Sequence, residues 1–193
     1  MTPAASYVAL VHHPVLDKHG RVVTTAITNL DVHDIARATR TFGLARYFVV
    51  TPIEAQRQLV ARILWHWTSG QGREHNDKRS DALARVTVVP TLADARAAIR
   101  AEAGAQPFVV ATGARPRSGT RGFGELATPD GRPLLLVFGT GWGLAEEVFA
   151  AADATLAPIT GSGAGSGEGA ADYNHLSVRS AVAIVLDRLF GKR

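Results

Sequence analysis

Short apolar runs alternate with stretches of helical periodicity along the whole chain. Residues 6–11 (SYVALV) are almost uninterrupted in their apolar character, the pattern of a strand covered on both faces of a parallel sheet. A loop follows over 12–30, with Pro14, Gly20 and the extended stretch RVVTTAIT. Asp31 is a good N-cap, and VHDIARATRTFG then reads as a helix ending at Gly43, a residue suited to the left-handed turn that closes a helix. ARYFVVT is the next strand, closed by Pro52. In PIEAQRQLVARILWHWTSG the residues Ile53, Leu59, Ile63, Leu64 and Trp67 fall near helical spacing, which predicts a long amphipathic helix. The polar segment 70–79 (GQGREHNDKR) reads as a mobile connection.

The alternation continues through VTVVP, a strand, and TLADARAAIRAEAG, a helix with Thr91 available as its cap. PFVVAT is a further strand, followed by a basic, glycine-rich loop, GARPRSGTRGFGEL. PLLLVF and ATLAPI complete the strands, each leading through glycines to a helix. This order predicts one α/β domain over 1–193, an open, mostly parallel sheet with helices on both faces. Ligands of such sheets bind beyond the carboxyl ends of the strands. Three loops gather at that edge: 112–122, 139–144 and 160–174.

Composition narrows the chemistry. The chain has 193 residues, enough for a full core, with 46% apolar and 20% charged residues. It has no cysteine, which excludes disulfides, thiolate metal sites and a thiol nucleophile. None of its seven histidines sits in a paired metal-ligand spacing, so no metal site is expected. No apolar run reaches the roughly 18 residues of a membrane span, and the N-terminus lacks the features of a secretion signal. A cytoplasmic protein with no membrane partner is expected. The net charge is +4, and its cations are arginines apart from Lys18, Lys78 and Lys192. Arginine suits planar, two-pronged contact with phosphate, which leans towards a polyanionic partner.

Gly139-Thr140-Gly141-Trp142-Gly143 stands between a strand and a helix, where glycines let backbone approach a ligand and amides at a helix start donate to it. The spacing and late position do not match the dinucleotide fingerprint of parallel-sheet enzymes. Without a Gly-Lys-Ser/Thr sequence, a phosphate-loop nucleotidase is rejected. Trp142 is expected to cover a ligand, whereas Glu146 and Glu147 are favourable first-turn charges. Asn174 reads as the N-cap of the last helix, within a polar cluster that follows the glycine loop. Asp34, Arg37 and Arg40 share one helix, with Arg40 on a solvated face. Arg115, Arg117 and Arg121 are placed to clamp phosphates, and Trp65 and Trp67 to fill the core or an interface.

Three segments in order resemble the motifs of the SPOUT superfamily, the α/β-knot RNA methyltransferases. Ile35-Ala36-Arg37-Ala38-Thr39-Arg40-Thr41-Phe42-Gly43 is similar to the first motif, LLLVFGTGWGL to the second, and LAPITG with YNHLSVRSAVAIVL to the third. The resemblance implies a methyltransferase that uses S-adenosylmethionine on tRNA or rRNA, a C-terminal deep trefoil knot within about 106–193, and a homodimer. It also implies a donor pocket lined by Thr112, Gly113, Phe138, Gly139, Thr140, Gly141, Trp142, Gly143, Ile159, Asn174, His175, Leu176 and Ser177. Arg37 matches the catalytic arginine of the ribose 2′-O branch. Asp172 is a counterpart of the aspartate base of the guanine-N1 branch, and His175 is a further candidate base. The chain departs from the ribose branch in having Gly141 instead of glutamate after Gly-Thr, and Tyr173-Asn174-His175-Leu176-Ser177 in its third motif, so the methylated atom stays open. The alternatives are a nucleotide- or metabolite-binding regulatory module without catalysis, or an inactive RNA-binding member of the same fold.

Overall fold

The computed structural model describes residues 1–162 and 174–192. All six residues of β1 (Ser6–Val11) are buried, as its uninterrupted apolar run requires. A small antiparallel hairpin, β2 (Val15–Leu16) with β3 (Val22–Val23), follows inside the expected loop. β1 pairs in parallel with β4 (Arg46–Val50) on one side and β7 (Leu134–Gly139) on the other. Further out lie β5 (Val86–Val89) beside β4, β6 (Phe108–Ala111) beside β7, and β8 (Ala154–Thr155) beside β6, all parallel. The order of this six-stranded sheet is β5-β4-β1-β7-β6-β8. The chain therefore leaves β1 towards β4 first and returns on its other side at β7. The direction of winding thus reverses beside β1, and in open sheets of this kind ligands bind outside the carboxyl edge at such a point.

Side chains alternate between the two faces of β1, and each set meets its own layer of helices. Val8 and Leu10 pack with α1 (Asn29–Thr41), α2 (Glu54–Thr68), α4 (Asp77–Leu83) and α7 (Val178–Phe190), through Val32, Ile35, Val60, Leu83, Val182 and Leu186. Tyr7, Ala9 and Val11 pack with α5 (Leu92–Ala103) and α6 (Glu146–Ala150), through Ala95, Ile99 and Val148. The expected open parallel sheet with helices on both faces is present. Truncating a fully buried core residue such as Ile35 or Leu136 to alanine costs about 2–5 kcal/mol.

Several local expectations need correction. The N-cap of α1 is Thr28, whose Oγ1 accepts from the Asp31 amide at 3.2 Å; Asp31 sits inside the first turn and accepts from the Thr28 hydroxyl at 2.6 Å. Gly43, with φ +76°, takes the left-handed turn beyond the helix. The segment 70–79 carries helix: α3 (Gly72–His75) and the start of α4, whose cap Asn76 accepts from Arg79 N at 2.9 Å. Residues 154–159 form only the two-residue β8, with Leu156 adding a single bridge to Arg121. The last helix begins at Val178 rather than Asn174, and Ser177 caps it by accepting from Ser180 N at 3.2 Å.

Candidate functional site

The glycine turn after β7 is docked on the β2 segment. A Cβ on Gly139 would stand 2.7 Å from the Leu144 amide nitrogen. Gly141 has φ +60°, and a Cβ there would stand 2.9 Å from the Leu16 carbonyl oxygen. Only glycine permits this approach at both positions. The turn then makes a ladder with the hairpin: Trp142 N donates to Leu16 O (3.0 Å), Leu16 N to Gly143 O (2.9 Å) and Ala145 N to Pro14 O (3.2 Å). Thr140 N donates to Val11 O at 3.3 Å. The amides expected to face a ligand are thus held by protein at Thr140, Trp142 and Ala145. What the turn presents outward is the Trp142 side chain, 55% exposed.

A half-buried chain of hydroxyls holds the turn from below. Thr140 Oγ1 donates to Val11 O (3.2 Å) and is hydrogen-bonded to Thr25 Oγ1, which lies 3.1 Å from His12 Nδ1. With the Thr140 hydroxyl donating onward, Thr25 donates to Thr140 and His12 donates from Nδ1, which fixes the neutral tautomer. His12 is fully buried. Burial pushes its pKa down to about 4, against smaller upward effects of Asp31 and the Ala26 backbone.

The other expected donor-pocket residues divide into structural and accessible ones. Thr112 is tied to β7, its amide and hydroxyl both donating to Val137 O at 3.0 and 2.9 Å. Gly113 lies against the Phe149 ring, 3.4 Å from where its Cβ would be. The Phe138 side chain is 2% exposed and belongs to the core, so it offers a pocket only its backbone. Asn174 Nδ2 donates to Ile159 O at 2.9 Å, which joins the two sides of the glycine loop at this edge. His175, Leu176 and Ser177 are exposed, Leu176 to 42%. Asp172 and Tyr173 lie outside the described residues.

The arginines sort by what they touch. Arg40 bonds Asp81 of α4 at 2.6 Å, not Asp34 of its own helix. Asp34 and Asp31 instead face Arg179 of α7, at 3.5 and 3.0 Å, which locks the last helix to α1. Arg117 is ion-paired to Glu146 and lies 3.9 Å over the Phe149 ring. The Arg121 backbone extends the sheet edge, bonding Thr155 O and Ala157 N at 2.8 and 2.9 Å, while its guanidinium lies 5.6 Å from the Phe108 ring. Arg115 and Arg37 are exposed and make no hydrogen bond or ion pair among the described residues. Arg37 sits about 9 Å along the helix axis from Asp31, at roughly 1.5 Å per residue, so α1 carries it away from the carboxyl edge of its own chain. Among the described residues no group of three or more His, Asp or Glu could hold a metal ion, and no helix is long and apolar enough to cross a membrane.

Residues 5–191 match the model of a family described as SAM-dependent RNA methyltransferase. The chain belongs to that family. One curated relative, a tRNA (guanine-N(1)-)-methyltransferase of Nitratidesulfovibrio vulgaris, is 43% identical over 96% of the chain. The chain spans only 42% of that relative's length, so its name describes a much longer protein. A relative of similar size, an uncharacterized protein of Aquifex aeolicus, is 39% identical over 96% of the chain and 88% of its own length. Among solved structures, a probable methyltransferase from Bordetella pertussis aligns with a TM-score of 0.61 at 17% identity, covering 96% of this chain and 94% of that one. That likeness is one of fold, and it agrees with the family's α/β architecture.

The sequence motifs pointed to this edge but not to the contacts that build it. The place of His12 went unread because its partner Thr25 is bonded in turn to Thr140, 115 residues further along the chain. The sequence signal was a histidine directly after a largely apolar strand, where burial forces a hydrogen-bond partner to be found.

Proposed function

We propose that this protein transfers a methyl group from S-adenosylmethionine to RNA, tRNA or rRNA, as a single domain whose knot occupies roughly 106–193. The observation that carries the reading is the Asn174–Ile159 tie. It brings the start of the last helix to the same edge as the glycine turn and Thr112–Gly113, in a chain of this family.

The residues at this edge fit such a donor. Exposed Leu176 and half-buried Ile159 offer apolar surface for an adenine, and a Cβ on Gly161 would meet open space. A Cβ at Gly113 would rest on the Phe149 ring at 3.4 Å, and with no side chain Gly113 offers its backbone as the contact there. When bound, the donor supplies a methyl group already activated by its sulfonium. The chain then has two tasks: aligning the acceptor with that methyl group and handling the acceptor's proton. Arg37, unpaired among the described residues, is a cation suited to stabilising a developing oxyanion, which favours a ribose 2′-oxygen as acceptor. Because α1 carries Arg37 away from the donor edge of its own chain, the acceptor site is completed by Arg37 of a second copy in a symmetric dimer. Arg115 contributes a phosphate contact; Arg117 and Arg121, being engaged, contribute less.

Guanine N1 is the second reading, favoured by the name of the longer relative and dependent on Asp172 as base. Incubating the protein with labelled donor and either tRNA or rRNA, followed by nucleoside mass spectrometry, separates the two. A 2′-O-methylnucleoside supports the first reading and 1-methylguanosine the second. No label in either RNA, despite binding of the donor, contradicts both.

A further inference from the structure

Beside Arg37, side chains from three helices converge on one indole. Trp67 of α2 receives two imidazole edges: His33 of α1 at 5.7 Å and 87°, and His66 at 5.1 Å and 88°. Arg79 of α4 lays its guanidinium carbon 4.5 Å from the centre of the same ring. The indole is held in place by close packing, since a Cβ on Gly72 would stand 2.8 Å from its Cε3. His33 and Arg37 are four residues apart on α1 and therefore share a face.

The charges in this cluster are uncompensated. The Arg79 guanidinium makes no hydrogen bond or salt bridge among the described residues, so the ring fixes its position and leaves its N–H donors uncommitted. Arg37 is likewise unpaired among the described residues. Nearby carboxylates are engaged elsewhere: Asp81 with Arg40, Asp31 and Asp34 with Arg179. His33 registers the result. Burial lowers its pKa, Arg79 and Arg37 lower it further, and Asp34 only partly offsets them. Two cations are thus held around the His33 imidazole beside an aromatic platform, and among the described residues neither is ion-paired to a carboxylate. An incoming phosphodiester would supply that anion.

We propose that Arg37, His33 and Arg79, seated on Trp67, form a subsite that grips the RNA backbone beside the acceptor nucleotide. This rests on the RNA-methyltransferase reading and assigns Arg79, His33 and Trp67 to substrate positioning. A planar guanidinium already stacked on an indole loses little freedom on binding phosphate, and its geometry suits two-pronged contact.

The test is fluorescence anisotropy of unfractionated tRNA with the full chain across a salt series, for wild type and Arg79→Gln. The variant is expected to bind roughly 3- to 10-fold more weakly at moderate salt, with a log–log salt slope smaller by about one. Its calorimetric affinity for S-adenosylhomocysteine should stay within about twofold of wild type. Unchanged tRNA affinity and slope in the folded variant would overturn the subsite and leave Arg79 as a brace between α4 and α2. A second readout needs no variant: the NMR titration midpoint of the His33 ring. Arg79, Arg37 and Asp34 bear on that ring, with Trp67 and His66 packed beside it. Bound phosphate offsets the two cations, so saturating a short oligoribonucleotide should raise the midpoint, and an unmoved midpoint contradicts the proposal. If the wild type fails to bind S-adenosylhomocysteine, the methyltransferase reading falls, while the tRNA and His33 readouts still decide the subsite.

Discussion

The glycine turn after β7 and the arginine face of α1, α2 and α4 are built in opposite ways. At the turn, backbone donors are bonded to the hairpin, a Cβ on Gly139 or Gly141 would stand within 3 Å of neighbouring backbone, and a hydrogen-bonded chain from buried His12 closes the base. On the arginine face, Arg37 and Arg79 are held by helix position and, for Arg79, an aromatic ring, with no carboxylate partner among the described residues. A site made of packed backbone is rigid before its ligand arrives, and its substitutions act through stability and shape. A site made of uncompensated cations contributes little to stability and acts through binding.

The contrast breaks first, if it breaks, at Gly141. Gly141→Val places a branched side chain at positive φ against the Leu16 carbonyl. The expected loss is about 3 kcal/mol or more in urea unfolding, with donor binding abolished. A variant of wild-type stability would mean the turn is not locked to the hairpin. His12 gives the next largest effect. Its folded pKa, about 4, lies below the ordinary 6.5, so the unfolded chain takes up the proton first as pH falls. Its contribution is fully present above pH 6.5 and is lost between 6.5 and about 4, amounting to at most about 3 kcal/mol. His12→Gln should flatten stability against pH in that window; an unchanged profile would remove His12 from the account.

Arg37→Ala should leave stability within about 0.5 kcal/mol and lower methyl transfer by on the order of 100-fold, without weakening donor binding. Equal losses in stability and rate would place Arg37 with the packed region instead. The smallest effect belongs to Arg117→Ala. Its partner Glu146 is 77% exposed, so the pair itself adds well under about 1 kcal/mol. With its guanidinium already occupied, the substitution should change the tRNA salt slope less than Arg115→Ala does.

The sheet was readable because its strands are continuous apolar runs between glycine and proline, and the candidate edge because glycine turns end two of those runs. Caps were less readable. Thr28 and Asp31 are both good capping residues three apart, and only the backbone angles decide which one caps. The polar spacing of 72–83 concealed two short helices, since α3 buries little beyond Gly72 and α4 is held by Asn76 and by Ala82 and Leu83. The family resemblance implies Phe138 as pocket lining, yet the two-residue period of β7 points it into the core with Leu136 and Leu134. The Trp67 cluster was beyond the sequence altogether, being assembled from three helices by tertiary packing.

The central claim is that the edge formed by 112–113, 139–143 and 174–177 binds a methyl donor. Calorimetric titration with S-adenosylhomocysteine tests it directly, against Gly141→Val and Arg37→Ala. The account predicts micromolar binding to wild type, the same binding to Arg37→Ala, and none to Gly141→Val. Absence of binding to the folded wild type, or undiminished binding to Gly141→Val, would contradict it.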